Sequence, residues 1–237
     1  MPGIRLVVGL GNPGKEYERT RHNAGFWLVE RFAAQSGVAL RKDAKYQALV
    51  GRQGGSGPWL VLPQSFMNAS GRAVQMIAGF FKIPAAEILV IHDEVDFPPG
   101  TARLKQGGGI AGHNGLRDIS QRLATHDYWR LRIGVGHPGD KHKVPDYVLG
   151  KPSADDRAAI DEAIAKSIEV LPLCLSGDLQ GAMQKLHTTG KEKPVEKKPD
   201  SVKAEEKKPE AKQPVPAPGP VSEKKEKSLF GSLFGKK

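Results

Sequence analysis

Three groups of polar residues stand far apart in the chain, and together they suit one kind of chemistry. Asn12 is followed by His22 and Asn23, Met67 and Asn68 form a second group, and His92-Asp93 with His113-Asn114 form a third. A histidine whose ring is held by a carboxylate can take a proton from water. Uncharged carboxamides can donate to a carbonyl oxygen as it gains negative charge. Gathered in one cleft, these residue types would make a hydrolytic site that needs no metal.

Each group also has a plainer explanation. Asn23 can cap a helix, Asn68 can satisfy loop backbone, and Asp93 can close a turn. His92-Asp93-Glu94-Val95-Asp96 offers three carboxylates in the manner of a magnesium or calcium site. The Phe97-Pro98-Pro99-Gly100 turn after it is stiff, and no second acidic group completes such a ligand set, so no metal is expected. Gly9-Leu10-Gly11-Asn12-Pro13-Gly14 fits the dinucleotide fingerprint G-x-G-x-x-G. That fingerprint needs a helix starting within the glycines, whereas Lys15 to His22 intervene here, and no acidic residue ends the next strand. No cofactor is expected either.

For the three groups to meet, they must sit on turns at one edge of a sheet. Ile4 to Leu10 and Ile88 to Ile91 read as buried strands, the second delivering Asp93 at its carboxyl end. Further strands are predicted over Tyr46 to Gly51, Trp59 to Leu62, Thr101 to Lys105 at an edge, and Arg130 to Val135. Helices are predicted over Ala24 to Gln35, from an N-cap at Ser70 to Phe81, over Leu116 to Leu123, and from Ser153 to Leu171 before Pro172. Strands interleaved with helices predict an α/β three-layer sandwich with a mixed, mostly parallel sheet. Ligands of such folds bind beyond the carboxyl ends of the strands.

Charge is distributed unevenly over the 237 residues. Residues 188–237 hold 13 Lys, 8 acids and 7 Pro, with no Trp, Tyr, Ile or Cys. Taking these from the chain's 36 basic and 26 acidic residues leaves 23 against 18, so the body is only mildly basic. A segment with so little apolar surface cannot offset its chain entropy and is expected to be a disordered tail. Near its end, Leu229-Phe230-Gly231 recurs as Leu233-Phe234-Gly235, which suits a protein or membrane-surface partner. The single Cys174 cannot form an intramolecular disulfide, and no run resembles a signal peptide or a membrane span, so a cytoplasmic soluble protein is expected.

Read together and in order, the segments resemble bacterial peptidyl-tRNA hydrolases. The resemblance is carried by Val8 to Gly14, by Thr20-Arg21-His22-Asn23-Ala24-Gly25, and by Pro63-Gln64-Ser65-Phe66-Met67-Asn68-Ala69-Ser70-Gly71. His92 to Asp96, Gly112-His113-Asn114-Gly115-Leu116 and Arg130 to Pro138 complete it. It implies a single domain over residues 1–187, a monomer without cofactor, and hydrolysis of the ester joining a peptide to tRNA, so that tRNA is recycled during translation. It further implies that His22 activates water and Asp93 orients His22. Asn12, Asn68 and Asn114 would hold the substrate and the developing oxyanion, and Tyr17, Met67 and His113 would line the cleft. Lys105 and Arg132 would grip a tRNA phosphate. One departure is visible: Ile110-Ala111 stands where the family usually has small residues before Gly-His-Asn-Gly.

Overall fold

Four strands at the centre of the sheet run parallel, so their carboxyl ends share one edge. The computed structural model describes residues 2–188, and the expected tail beyond them lies outside the described residues. Within these, β1 (Leu6–Gly9), β4 (Trp59–Pro63), β5 (Ile88–Glu94) and β7 (Trp129–Gly134) run parallel. The antiparallel strands β2 (Arg41–Asp43), β3 (Ala48–Arg52) and β6 (Ala102–Gln106) complete the order β2-β3-β4-β1-β5-β7-β6. The sheet is mixed and mostly parallel at its centre, as expected. β1 is the point where the chain turns from building one side of the sheet to building the other. A crevice opens beyond the strand ends at such a point.

Alternation along the strands divides the core into two layers. Val7, Leu89, Ile91, Leu131 and Ile133 face a cluster with α1 (Ala24–Gln35), α5 (Ala154–Ser176) and α6 (Leu179–Thr188). Leu6, Val8, Ile88 and Val90 face the other cluster, with α2 (Gly71–Phe80) and α3 (Asn114–Leu123). Side chains that alternate between two apolar layers bury both faces of the sheet, which is the three-layer sandwich. Two glycines let the first helix approach the sheet. A Cβ on Gly25 would lie 2.3 Å from the Ile91 carbonyl oxygen, and one on Gly9 would lie 2.5 Å from that of Gly25. Gly9 and Gly11 of the dinucleotide-like motif, which face Gly25 and Phe26 of α1, therefore serve helix packing.

Several boundaries differ from expectation, each for a local reason. Ser70 does not cap α2: its hydroxyl donates to the Met67 carbonyl, and Asp118 of α3 instead accepts from the Gly71 N–H at 2.7 Å. Pro172 does not end α5, because Leu171 and Cys174 are buried while Pro172 faces solvent. Their packing carries the helix on to a left-handed Gly177. β2, α6 and the six-residue α4 (Val144–Leu149) were not expected. Among the described residues, no helix is long and apolar enough to cross a membrane.

Gly25→Ala is expected to destabilise the domain by about 3 kcal/mol, since backbone on both sides blocks the new methyl group. Gly79→Ala, on an open helical position with nothing within 4 Å, should stabilise it by about 0.5–1 kcal/mol. Urea midpoints of the two variants check both signs, and equal midpoints would contradict the packing argument.

Candidate active site

The histidine sits on a short 3-10 turn, Arg21–Asn23, that leads directly into α1. Each of its three residues is fastened to a different part of the protein. Asn23, expected at most to cap the helix, instead grips the loop after β1: its carboxamide accepts from the Asn12 N–H at 2.8 Å and donates to the Asn12 carbonyl at 3.0 Å. His22 Nδ1 lies 2.9 and 3.0 Å from the two oxygens of Asp93. Arg21 is held by the segment around α4. Asp93 lies at the end of β5 with the parity of Leu89 and Ile91, which face α1, so strand alternation aims it at His22.

Asp93 is 3% exposed and has a second ring partner, His113 Nε2, 3.1 Å from its Oδ1. His113 caps α3, its Nδ1 accepting from the N–H groups of Gly115 at 3.2 Å and Leu116 at 3.4 Å. Two donors aimed at Nδ1 place the ring's proton on Nε2, where it donates to Asp93. Burial works against the Asp93 charge, but the two histidines outweigh it and hold the carboxyl well below the usual carboxylate range. For His22, burial pushes the pKa down, while the charge of Asp93 and its hydrogen bond together raise it above the ordinary 6.5. With Nδ1 committed to Asp93, His22 presents Nε2 to the cleft.

His22, Asp93 and His113 place one potential metal-ligating atom each within 4.8 Å of one another. Their hydrogen bonds oppose that use. Ligation through His113 Nε2 would move its proton to Nδ1, against two N–H donors. Neighbouring His92 is fully buried, and that burial pushes it down to about 3. It stays neutral, its Nδ1–H donating to the Asp93 carbonyl at 2.6 Å.

A cleft of about 770 Å³ opens over this group, lined also by Asn12, Tyr17, Met67, Asn68 and Asn114. The Asn12 side-chain oxygen accepts from the Met67 N–H at 2.7 Å, and that of Asn114 accepts from Arg117 at 2.9 Å. Both amides thus have their oxygens engaged and their NH2 groups left to donate. Asn68 is exposed at the rim, while Met67 is buried beneath it. Tyr17 meets Phe66 edge to face at 6.2 Å, and Phe66, which sequence reasoning had not singled out as a site residue, is 60% exposed. Val144, Pro145, Val148 and Leu149 of α4 form an apolar wall; six residues with a proline near their start gave no periodic signal.

Lys105 and Arg132 are not part of the cleft lining. They lie on the adjacent β6-β7 edge, where Lys105 pairs in register with Arg130, and Arg103 with Arg132. Arg132 is held by Glu94 at 2.8 Å and covers the Phe97 ring, whereas Lys105 is exposed. Arg130 faces inward and donates to the carbonyls of Gly108 and Gly109. In that glycine-rich loop Ala111 takes a left-handed φ of 45°, and Ile110 packs partly against the core.

An α/β sandwich with a histidine–carboxylate pair and amide donors at its strand ends defines a hydrolase-type site. A family profile described as peptidyl-tRNA hydrolase matches residues 6–196. The chain is 55% identical over 192 residues to a peptidyl-tRNA hydrolase of Methylobacillus flagellatus, covering 81% of this chain and 100% of the relative. It is 54% identical over 187 residues to one of Nitrosospira multiformis, covering 78% and 98%. A crystal structure of peptidyl-tRNA hydrolase from Acinetobacter baumannii superposes with a TM-score of 0.76 at 45% identity, covering 78% of this chain and 95% of that one. The chain belongs to the peptidyl-tRNA hydrolase family.

Asn23→Asp should be damaging although nearly isosteric, because it sets a carboxylate oxygen against the Asn12 carbonyl. A loss of about 1–3 kcal/mol in urea unfolding is expected, from the buried mismatch, together with reduced turnover of peptidyl-tRNA. Wild-type values for both would show that this pair does not hold the turn.

Proposed function

We propose that the cleft hydrolyses the ester between peptide and tRNA with His22 as general base. The observation that carries this reading is a ring tied through Nδ1 to a buried carboxylate, with Nε2 facing a cleft that holds amide donors. Nε2 takes a proton from water as the water oxygen attacks the ester carbonyl carbon. Asp93 steadies the imidazolium that forms. The NH2 groups of Asn12 and Asn114 donate to the oxyanion, and Asn68 holds substrate at the rim. When the tetrahedral intermediate collapses, the bond to the tRNA ribose oxygen breaks and His22 returns its proton to that oxygen. Tyr17, Met67 and His113 line the path of the peptide and the terminal adenosine. Lys105 and Arg132 grip a tRNA phosphate beside the cleft.

The reading places the enzyme in the cytoplasm as a monomer without metal or cofactor. The buried Cys174, its thiol pushed up to about 12 mainly by burial, is a packing residue and fits a reducing compartment. The tail over 188–237 is read as dispensable for hydrolysis and as a recruiter of a protein or membrane-surface partner. What supports dispensability is that the M. flagellatus relative is matched over its whole length by 192 residues of this chain.

His22→Ala should lower turnover by roughly 10²-fold or more with the fold intact. Asp93→Asn should be less severe, because Oδ1 lies within hydrogen-bond reach of both rings, so an amide oxygen there still orients His22 but cannot stabilise the imidazolium. In the wild type, kcat/KM should fall as pH drops through a value above 6.5, because protonated His22 cannot act as base. Near-normal hydrolysis by His22→Ala, or a pH profile flat across that range, would remove the assignment.

Lys105→Ala and Arg132→Ala should each raise KM for peptidyl-tRNA and reduce the slope of log affinity against log salt by about 1. A minimal ester lacking the tRNA phosphates should be hydrolysed by both variants as by the wild type. Equal losses on the two substrates would refute a phosphate grip.

A further inference from the structure

Arg21, next in the chain to His22, is only 8% exposed. Its guanidinium lies 4.0 Å over the Tyr147 ring and donates to the carbonyls of Lys151 at 2.9 Å and Tyr147 at 3.3 Å. Its main-chain N–H donates to the Gly150 carbonyl at 3.1 Å. Every one of these partners belongs to α4 or the residues just after it. The one nearby carboxylate, Asp156, is 3.5 Å away and partly exposed. Arg21 Nε is among the few buried polar atoms of the described residues with no partner.

Stability alone does not explain such a residue. A buried guanidinium with one distant carboxylate and an unmet N–H is a costly way to fill space, and an apolar side chain of similar volume would serve as well or better. What the planar fork supplies is fixed geometry between two carbonyls and a ring. The segment it grips forms the apolar wall of the cleft through Val144, Pro145, Val148 and Leu149. Leu149 is 43% exposed, leaving apolar surface for an acyl group to cover. On its far side the same segment is anchored by the Tyr147 hydroxyl, which donates to the Val135 carbonyl at 2.8 Å.

We propose that Arg21 is a positioning residue that couples contact of the peptide with the α4 wall to the placement of His22 against Asp93. An acyl group that covers Val148 and Leu149 fixes α4, α4 fixes the guanidinium, and the three-residue turn fixes the imidazole. The proposal rests on His22 being the general base. Its consequence is a selectivity expressed in kcat: peptides long and apolar enough to reach the wall are cleaved faster at saturation than a single small acylated residue.

The test compares two substrates on the same tRNA, one carrying N-acetylglycine and one carrying an N-acetylated tetrapeptide of Leu and Val. Wild-type kcat is expected to be several-fold higher for the tetrapeptide. In Arg21→Met the kcat for the tetrapeptide should fall roughly tenfold, as a small misplacement of a reacting group would cause, and the kcat ratio should approach one. KM should still favour the tetrapeptide, because the wall itself remains. Tyr147→Leu, which breaks the same link from the α4 side, should do likewise, and the double variant should be no worse than either single one. Should Arg21→Met fail to fold, Tyr147→Leu alone decides. A wild-type ratio near one, a folded single variant that keeps the wild-type ratio, or additive losses in the double variant would overturn the coupling. His22→Ala in the same assay separates the two readings. Retained turnover there removes the base, whereas lost turnover with an unchanged ratio in Arg21→Met removes only the coupling.

Discussion

A carboxylate buried at the end of a parallel strand is stable only when its charge is met by donors of fixed geometry. Asp93 is met by two imidazoles of different character. His113 has its proton fixed on Nε2 by the amides at the start of α3, so its bond to Asp93 is permanent. His22 carries no such second constraint on its outer nitrogen, so its protonation can change while Asp93 stays ionised. One carboxylate therefore holds two histidines of different freedom, one with its proton fixed and one whose protonation can change. The placement of α3, the glycine-rich loop before it and the turn before α1 all converge on that oxygen pair.

The walls of the cleft are secured by buried cations that donate to carbonyls. Arg130 joins the carbonyls of Gly108 and Gly109 to β7, and Arg21 joins α4 to the turn that carries His22. The loop held by Arg130 contains left-handed residues at Gly107, Gly108, Ala111 and Gly112, a conformation with a high entropy penalty for ordering. A guanidinium satisfying two consecutive carbonyls offsets part of that penalty. This also sorts the basic stripe on the β6-β7 edge. Arg130 is spent on the loop and Arg132 is partly neutralised by Glu94, so Lys105 is left as the more available charge of the three.

Six of the seven strands and the three longer expected helices were legible because their apolar residues keep a period that one burial pattern explains. The site was legible by residue type and order, since a histidine, a carboxylate and amides on successive strand ends can converge in an α/β sheet only at one edge. What stayed hidden depends on contacts between segments distant in sequence. Nothing local to Asn23 indicates that it grips Asn12 rather than capping α1, nor does Ser70 reveal that Asp118 would supply the cap of α2. The dual partnership of Asp93 likewise needs α3 in place. Nothing local to Arg21 marks it as buried, because burial of a guanidinium is rare and leaves no pattern in the chain.

Ile110 and Ala111, neighbours in the glycine-rich loop before α3, act on that loop in opposite directions. A non-glycine residue at a φ of 45° is strained by roughly 1–2 kcal/mol, so Ala111 by itself would loosen the loop. Ile110 acts in the opposite direction: it packs against the cluster formed with α2 and α3 while also lining the cleft. Burying part of an isoleucine side chain contributes on the order of 1 kcal/mol, comparable to the strain next to it. The two residues thus balance. They leave His113 and Asn114 at the start of α3, and they add apolar surface to the cleft that α4 also lines.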